Sequence, residues 1–315
     1  MNQTSIRLDQ YCSALFFMVL FMLSGAISSS PQAATVSKNR FSELKLLKVN
    51  PMPVLAERKD NFVTPATLSA QLRANASIVL DLNSGAILFD KNKDQQKYPA
   101  STTKLMTVLV AMDYYDLNQV VTVGPALMNQ GQVIGLQIGE KITVKDLIAA
   151  VLINSGNDAA YTLADNYAGG FDNFIKAMNE KAAVLHLEST HFVNPAGLDQ
   201  VGQVTTARDL VLLAKECLAV PIIRELVNTK QMQITDLTGK KAYTLINTNE
   251  LLGTRLHVHG IKTGTTELAR QVLVTLWTKE GHKVLIVVMD SDDRYTDTNL
   301  IVDWLENQVE WVNID

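Results

Sequence analysis

Ser101-Thr-Thr-Lys104 sets a hydroxyl and an amine three residues apart. If Ser101 opens a helix, both side chains lie on one face about one turn apart. A lysine placed there takes the serine's proton only if its own pKa is lowered. The spacing alone is weak, because Ser42-Glu-Leu-Lys45 repeats it upstream. An exposed helix start accounts for either pair equally well. Two further clusters set the first apart. Ser155-Gly-Asn157 follows an apolar run, where a loop can present a hydroxyl and an amide; a glycine helix stop reads the same way. Lys262-Thr-Gly264 occurs once, ahead of the strand-like Val272–Trp277, and a polar turn is its plainer reading.

The elements that must carry these groups read as one α/β body. Ser77–Leu82 and Ala86–Phe89 are two strands joined by the turn cluster Asn83-Ser-Gly85. Lys104–Tyr114 is an apolar helix. Thr143 caps a second, which buries Leu147-Ile148 and Val151-Leu152 and stops near Asn154-Ser-Gly156. Phe171–Leu185 and Thr206–Glu216 also read as helices. Val272–Trp277 and Lys283–Met289 form a hairpin around Lys279-Glu-Gly281, and Tyr295–Trp311 closes the chain as an amphipathic helix. Strands at both chain ends with helices between them favour an antiparallel sheet with inserted helices over a wound parallel sheet. Gly131, Gly135 and Gly139 recur every four residues, but Gln132 and Gln137 mark a loop.

Composition bounds what this body does. Of 315 residues, 47% are apolar, which excludes a mainly disordered chain. A net charge of −4 without a dominant basic run argues against a nucleic-acid partner. Cys12 and Cys217 are too few for a disulfide framework or a four-ligand zinc site. The five histidines show no His-Glu-x-x-His spacing, so no metal site is expected. Between Asp9 and Lys38 lies a charge-free run centred on Ala14-Leu-Phe-Phe-Met-Val-Leu-Phe-Met-Leu23, with Arg7 before it and Ser24-Gly-Ala26 after it. It reads as an export signal, with cleavage and retention as an anchor both open. The prolines 51, 53 and 65 punctuate a tether.

The three clusters in this order are a signature of penicillin-recognising serine enzymes. The chain resembles the low-molecular-mass penicillin-binding proteins, the D-alanyl-D-alanine carboxypeptidases of the S11 serine peptidases. Gly139-Glu140 with Thr143-Val-Lys-Asp-Leu147, Asn154-Ser-Gly-Asn-Asp-Ala-Ala160 and Thr190-His-Phe-Val-Asn-Pro-Ala-Gly-Leu198 carry the likeness too. So do Thr205-Thr-Ala-Arg-Asp-Leu210 and Asn247-Thr-Asn249 leading to Gly260-Ile-Lys-Thr-Gly264. The fold implied is an antiparallel sheet flanked by helices with an inserted helical subdomain. The layout is a signal peptide or N-terminal anchor over 1–34, a tether over 35–75 and a DD-peptidase domain over 76–315.

The resemblance implies that Ser101 is the nucleophile and Lys104 its general base. Ser155 relays a proton to the leaving D-alanine, and Asn157 holds Lys104 and the substrate amide. Lys262, Thr263, Gly264 and Thr265 line the substrate's carboxylate side, with the N–H groups of Ser101 and Thr265 as oxyanion donors. The substrate implied is a peptidoglycan pentapeptide ending in D-Ala-D-Ala, with β-lactams as inhibitors and no cofactor. The enzyme acts in the periplasm or otherwise outside the cytoplasm, and any membrane contact comes through the N-terminus.

Two departures stand out. Arg270 follows Ala269 where the family usually has glycine, and Val272 replaces a cysteine. Arg294 is open between carboxylate binding and a solvated loop charge. A DD-endopeptidase that cuts cross-links shares all three motifs. A silent peptidoglycan- or β-lactam-binding sensor is a third reading, against which the intact motif residues argue. A class A β-lactamase fits less well, because no Glu-x-x-Leu-Asn follows Ser155-Gly-Asn157.

Overall fold

The structure, a computed structural model, describes residues 52–55, 63–125 and 131–312. The export signal and the Ser42–Lys45 pair lie outside the described residues. The elements run β1 (Met52–Leu55), α1 (Pro65–Gln71), β2 (Ala76–Asp81), β3 (Ile87–Lys91), a 3-10 turn (Ala100–Thr103), α2 (Lys104–Tyr114), β4 (Val120–Thr122), β5 (Lys141–Thr143), α3 (Val144–Ile153) and α4 (Asn157–Asp165). There follow α5 (Gly170–Val184), α6 (Ala207–Ala219), α7 (Pro221–Val227), β6 (Gln231–Thr235), β7 (Ala242–Ile246), β8 (Val258–Thr266), β9 (Arg270–Lys279), β10 (His282–Ser291), α8 (Arg294–Gln308) and β11 (Val309–Val312).

The sheet is antiparallel throughout and runs in the order β3-β2-β10-β9-β8. Its central strand β10 is apolar on both faces over Val284–Met289, as a strand covered on both sides must be. Along β9 the residues alternate between two cores. Val272 and Val274 face the cluster formed with α2–α7, and Leu273 and Trp277 face the cluster formed with α1 and α8. Both hairpins expected from the sequence form, β2–β3 and β9–β10. In α3, Thr143 Oγ1 accepts from Asp146 N at 3.1 Å, and Leu147 to Ile153 are buried without a break. Helix α2 is buried from Lys104 through Ala111. Each large aliphatic side chain buried there contributes about 1.5–3 kcal/mol, which holds one lysine inside an apolar helix.

The structure corrects three expectations. The segment read as a tether supplies β1 and α1 to the body. Pro65 is not a breaker there but the first residue of α1, behind the Thr64 cap. The final helix stops at Gln308 rather than Trp311, because Val309–Val312 leave it to pair with Met52–Leu55 as β11. The Lys262-Thr-Gly264 motif does precede the strand over Val272–Trp277, now β9, but it is not a turn. It lies inside β8, the edge strand of the sheet.

Candidate active site

The site lies where the edge strand β8 meets the start of α2 and the α3–α4 junction. Ser101 sits in the 3-10 turn and Lys104 opens α2, so their side chains meet across one turn with Nζ 2.9 Å from Oγ. The amine also donates to the Ala196 carbonyl at 2.7 Å. Lys104 is wholly buried, and burial pushes its pKa well below the usual lysine range. The nearby charge of Lys262 pushes the same way, while Asp158 opposes it. A pKa lowered in this way favours the neutral amine, the form that can accept a proton.

Ser155 occupies the junction between α3 and α4. Its φ of +60° is a left-handed conformation that costs a non-glycine residue about 1–3 kcal/mol. That turn aims its hydroxyl at β8, where Lys262 Nζ donates to Oγ at 2.8 Å and to the Thr263 carbonyl at 3.0 Å. Lys262 is buried too, and its pKa is pushed down to about 7, first by burial and then by the Arg294 charge. Asn157, two residues after Ser155, is also buried, and its N–H donates to the Gln132 carbonyl at 2.7 Å. Thr263 Oγ1 lies 2.6 Å from Thr248 Oγ1, and the Tyr295 hydroxyl donates to the Thr248 carbonyl at 2.9 Å. Thr265 Oγ1 accepts from Arg294 Nη1 at 2.6 Å, and the same nitrogen donates to the Gly264 carbonyl at 2.8 Å. Arg294 is therefore part of the site rather than a solvated loop charge.

Two glycines allow this convergence. A Cβ on Gly264 would stand 2.9 Å from Ser101 N and 2.8 Å from Ala100 Cβ, so only glycine lets β8 lie this close to the nucleophile turn. Gly197 has φ +82°, and a Cβ there would reach 1.7 Å from the Ala100 carbonyl oxygen.

The structure brings Ser101 to Lys104, Ser155 to Lys262 and Gly264 to the Ser101 turn, and sequence reasoning missed the groups that fix them. The Ala196 carbonyl is held by a loop whose organiser is Asn194, with Oδ1 accepting from the N–H groups of Ala196, Gly197 and Leu198. Gln203 ties that loop to α2's approach through Thr103 Oγ1 at 2.9 Å. Asp158 is fully buried and accepts from the N–H groups of Ile134, Gly135 and Leu136, which folds the glycine-spaced loop over the site. The Asn194-Pro-Ala-Gly197 run, an Asx-turn composition, was the readable signal for the first of these. At Arg270, φ is +54°, the path glycine would take, and β9 still pairs with β8 from this residue on.

The family described as D-alanyl-D-alanine carboxypeptidase, peptidase S11, matches residues 62–293. The chain belongs to this family. Among its relatives is the D-alanyl-D-alanine carboxypeptidase DacF of Bacillus subtilis, 32% identical over 246 residues, which are 75% of this chain and 63% of that protein. The chain thus spans less than two thirds of that relative's length. The D-alanyl-D-alanine carboxypeptidase DacB2 of Mycobacterium tuberculosis is 35% identical over 69% of this chain and 74% of its own. A D-alanyl-D-alanine endopeptidase of Escherichia coli is 31% identical over 84% of this chain and 86% of its own. The crystal structure of the Streptomyces K15 DD-transpeptidase superposes with a TM-score of 0.70 at 30% identity, covering 74% of this chain and 97% of that one. The family is one of serine D-Ala-D-Ala carboxypeptidases that act on the cell wall outside the cytoplasm, and its fold is that of penicillin-binding DD-peptidases. The antiparallel sheet with its inserted helical block is that fold.

Proposed function

We propose that this chain removes the terminal D-alanine of peptidoglycan stem peptides through an acyl-enzyme on Ser101. The observation that carries the reading is the 2.9 Å contact between Ser101 Oγ and a buried amine held below its usual pKa. Neutral Lys104 takes the hydroxyl proton as Oγ attacks the penultimate D-Ala carbonyl carbon. The N–H groups of Ser101 and Thr265 receive the developing oxyanion, a contribution of about 3–4 kcal/mol per donor in comparable sites. The leaving nitrogen takes its proton through Ser155, which Lys262 adjoins at 2.8 Å. Thr263, Thr265 and Arg294 hold the terminal carboxylate, Asn157 the substrate amide, and Gly264 keeps the strand close. Water then hydrolyses the ester, with Lys104 again as base. A β-lactam enters by the same attack, with its ring amide as the bond that opens.

A second reading, cleavage of D-Ala cross-links, is favoured by one observation. The E. coli and Pseudomonas aeruginosa relatives named endopeptidases are matched over 86% and 79% of their lengths, against 63% for the B. subtilis carboxypeptidase. Incubation with cross-linked and uncross-linked muropeptides, followed by product masses, separates the two. Loss of one alanine from the monomer is expected, and a product only from the dimer overturns the carboxypeptidase reading. Export through residues 1–34 belongs to the same proposal, with N-terminal sequencing of the exported form deciding between cleaved signal and anchor.

A further inference from the structure

Arg270 occupies a backbone conformation that favours glycine, with φ +54°. Its side chain makes a contact that glycine could not. Nη1 lies 3.3 Å from Asp290 Oδ1, and Nη2 is ion-paired with Asp292. Asp290 is fixed from its other side by Lys97 Nζ at 2.8 Å and Asn75 Nδ2 at 3.0 Å. Gln271, the next residue, continues the grip. Its Nε2 donates to the Asp292 carbonyl at 2.8 Å, and its Oε1 accepts from Arg294 N at 3.2 Å. From this turn the Arg294 side chain reaches back to Gly264 and Thr265.

We propose that Arg270 is a positioning residue for the substrate's terminal carboxylate: by pinning Asp290 and Asp292 it fixes the turn that delivers Arg294 to Thr265. The inference rests on the carboxylate role given to Arg294 above. Ends of the turn are secured without Arg270, because Ser291 Oγ donates to Asp297 at 2.6 Å and Asp293 Oδ1 caps α8 by accepting from Thr296 N. What Arg270 adds is the hold on Asp292, whose side chain is 65% exposed. Removing the guanidinium therefore loosens the turn without opening the core. A bidentate partner also explains arginine rather than lysine, since the planar fork reaches two carboxylates at once.

The test compares Arg270→Gly, Arg270→Lys, Arg294→Gln and the double variant Arg270→Gly/Arg294→Gln. Arg270→Gly relieves the left-handed backbone, so its unfolding temperature should equal or exceed that of the unaltered protein. On a peptide ending in D-Ala-D-Ala its KM should rise about tenfold with kcat within about twofold. Arg270→Lys should recover part of the loss. In the Arg294→Gln background, Arg270→Gly should change KM by less than about twofold, because the two act on one interaction. A lowered unfolding temperature with KM unchanged, or effects that multiply in the double variant, would overturn the proposal. Failure of the unaltered protein to turn over the peptide strikes the functional reading instead. The crystal structure of Arg270→Gly then decides: Arg294 displaced from Thr265 supports the positioning role, and Arg294 still bonded to Thr265 Oγ1 overturns it.

Discussion

The two faces of the sheet solve opposite problems. Behind it, α1 and α8 close over Leu68, Val79, Phe89, Trp277, Ile286, Ile301 and Trp304, a core that is almost wholly apolar. Its buried carboxylate, Asp297, accepts from the N–H groups of Arg73 and Ala74 and from Ser291 Oγ. In front, the larger apolar cluster is interrupted by Lys104, Ser155, Asn157, Asp158, Gln203 and Lys262, all buried. A buried charge is costly unless it is paired or neutralised. The described contacts of the two lysines are to hydroxyls and carbonyls, and both titrate below their ordinary range. The back face supplies stability, and the front face holds reactive groups at some cost to it.

If that division is right, single substitutions should separate activity from stability. Ser101→Ala should lower penicillin acylation and peptide turnover about a thousandfold or more, with the unfolding midpoint in denaturant nearly unchanged. Covalent labelling by a fluorescent penicillin, read by gel and mass, checks it, and equal labelling of the variant refutes the assignment. Trp304→Ala is the mirror image. It empties a buried indole from between α8 and the sheet and should cost about 3–5 kcal/mol. The acylation rate of the folded fraction should stay the same. A Trp304→Ala protein that is as stable as the original, or that folds but no longer acylates, breaks the comparison.

Asp158→Ala should fall between these. The carboxylate holds three consecutive N–H groups of the loop over the site. Its loss should cost about 2–3 kcal/mol and slow acylation as well, because the loop beside Asn157 is freed. Chemical denaturation and single-turnover acylation measured on one preparation separate the two effects. A change in stability alone would place Asp158 with the back-face residues in kind.

The two hairpins and the longer helices α2, α3, α5, α6 and α8 were the legible part of the sequence, whereas α1 on the back face was read as tether. Thr143 with its apolar run, and Lys279-Glu-Gly281 between two apolar stretches, state their structures locally. β8 was not legible as a strand, since Gly260, Lys262 and Gly264 interrupt its alternation exactly where the chemistry sits. α4 opens on Asn157-Asp158 and was hidden behind a motif that reads as a loop. β1 and β11 find each other from opposite ends of the chain, which no local pattern announces. The Ala196 carbonyl is backbone and carries no residue-type signal, whereas the motif side chains can be named from sequence because residue identity is what a motif records.

The smallest effect probes the cost of the front face most directly. Lys262 has a folded pKa of about 7 against 10.5 for an unperturbed lysine. Between those values the unfolded chain binds a proton that the folded one does not, so stability rises with pH across this window and levels off above it. Lys262→Met removes that dependence. At pH 7 the variant should be more stable than the original by about 1–3 kcal/mol, after the loss of hydrogen bonds to Ser155 and Thr263 is set against the relief. The advantage should shrink toward about pH 10, as the unfolded lysine also loses its proton. The same variant removes the like charge that helps depress Lys104. Its acylation rate should rise along an acid limb displaced to higher pH, measured from about pH 5 to 7, where Lys262 still carries charge. Denaturant midpoints across the pH range and stopped-flow acylation on both proteins give the two readouts. A stability difference that does not vary with pH denies the buried charge its cost, and a limb that stays in place leaves burial alone to lower Lys104.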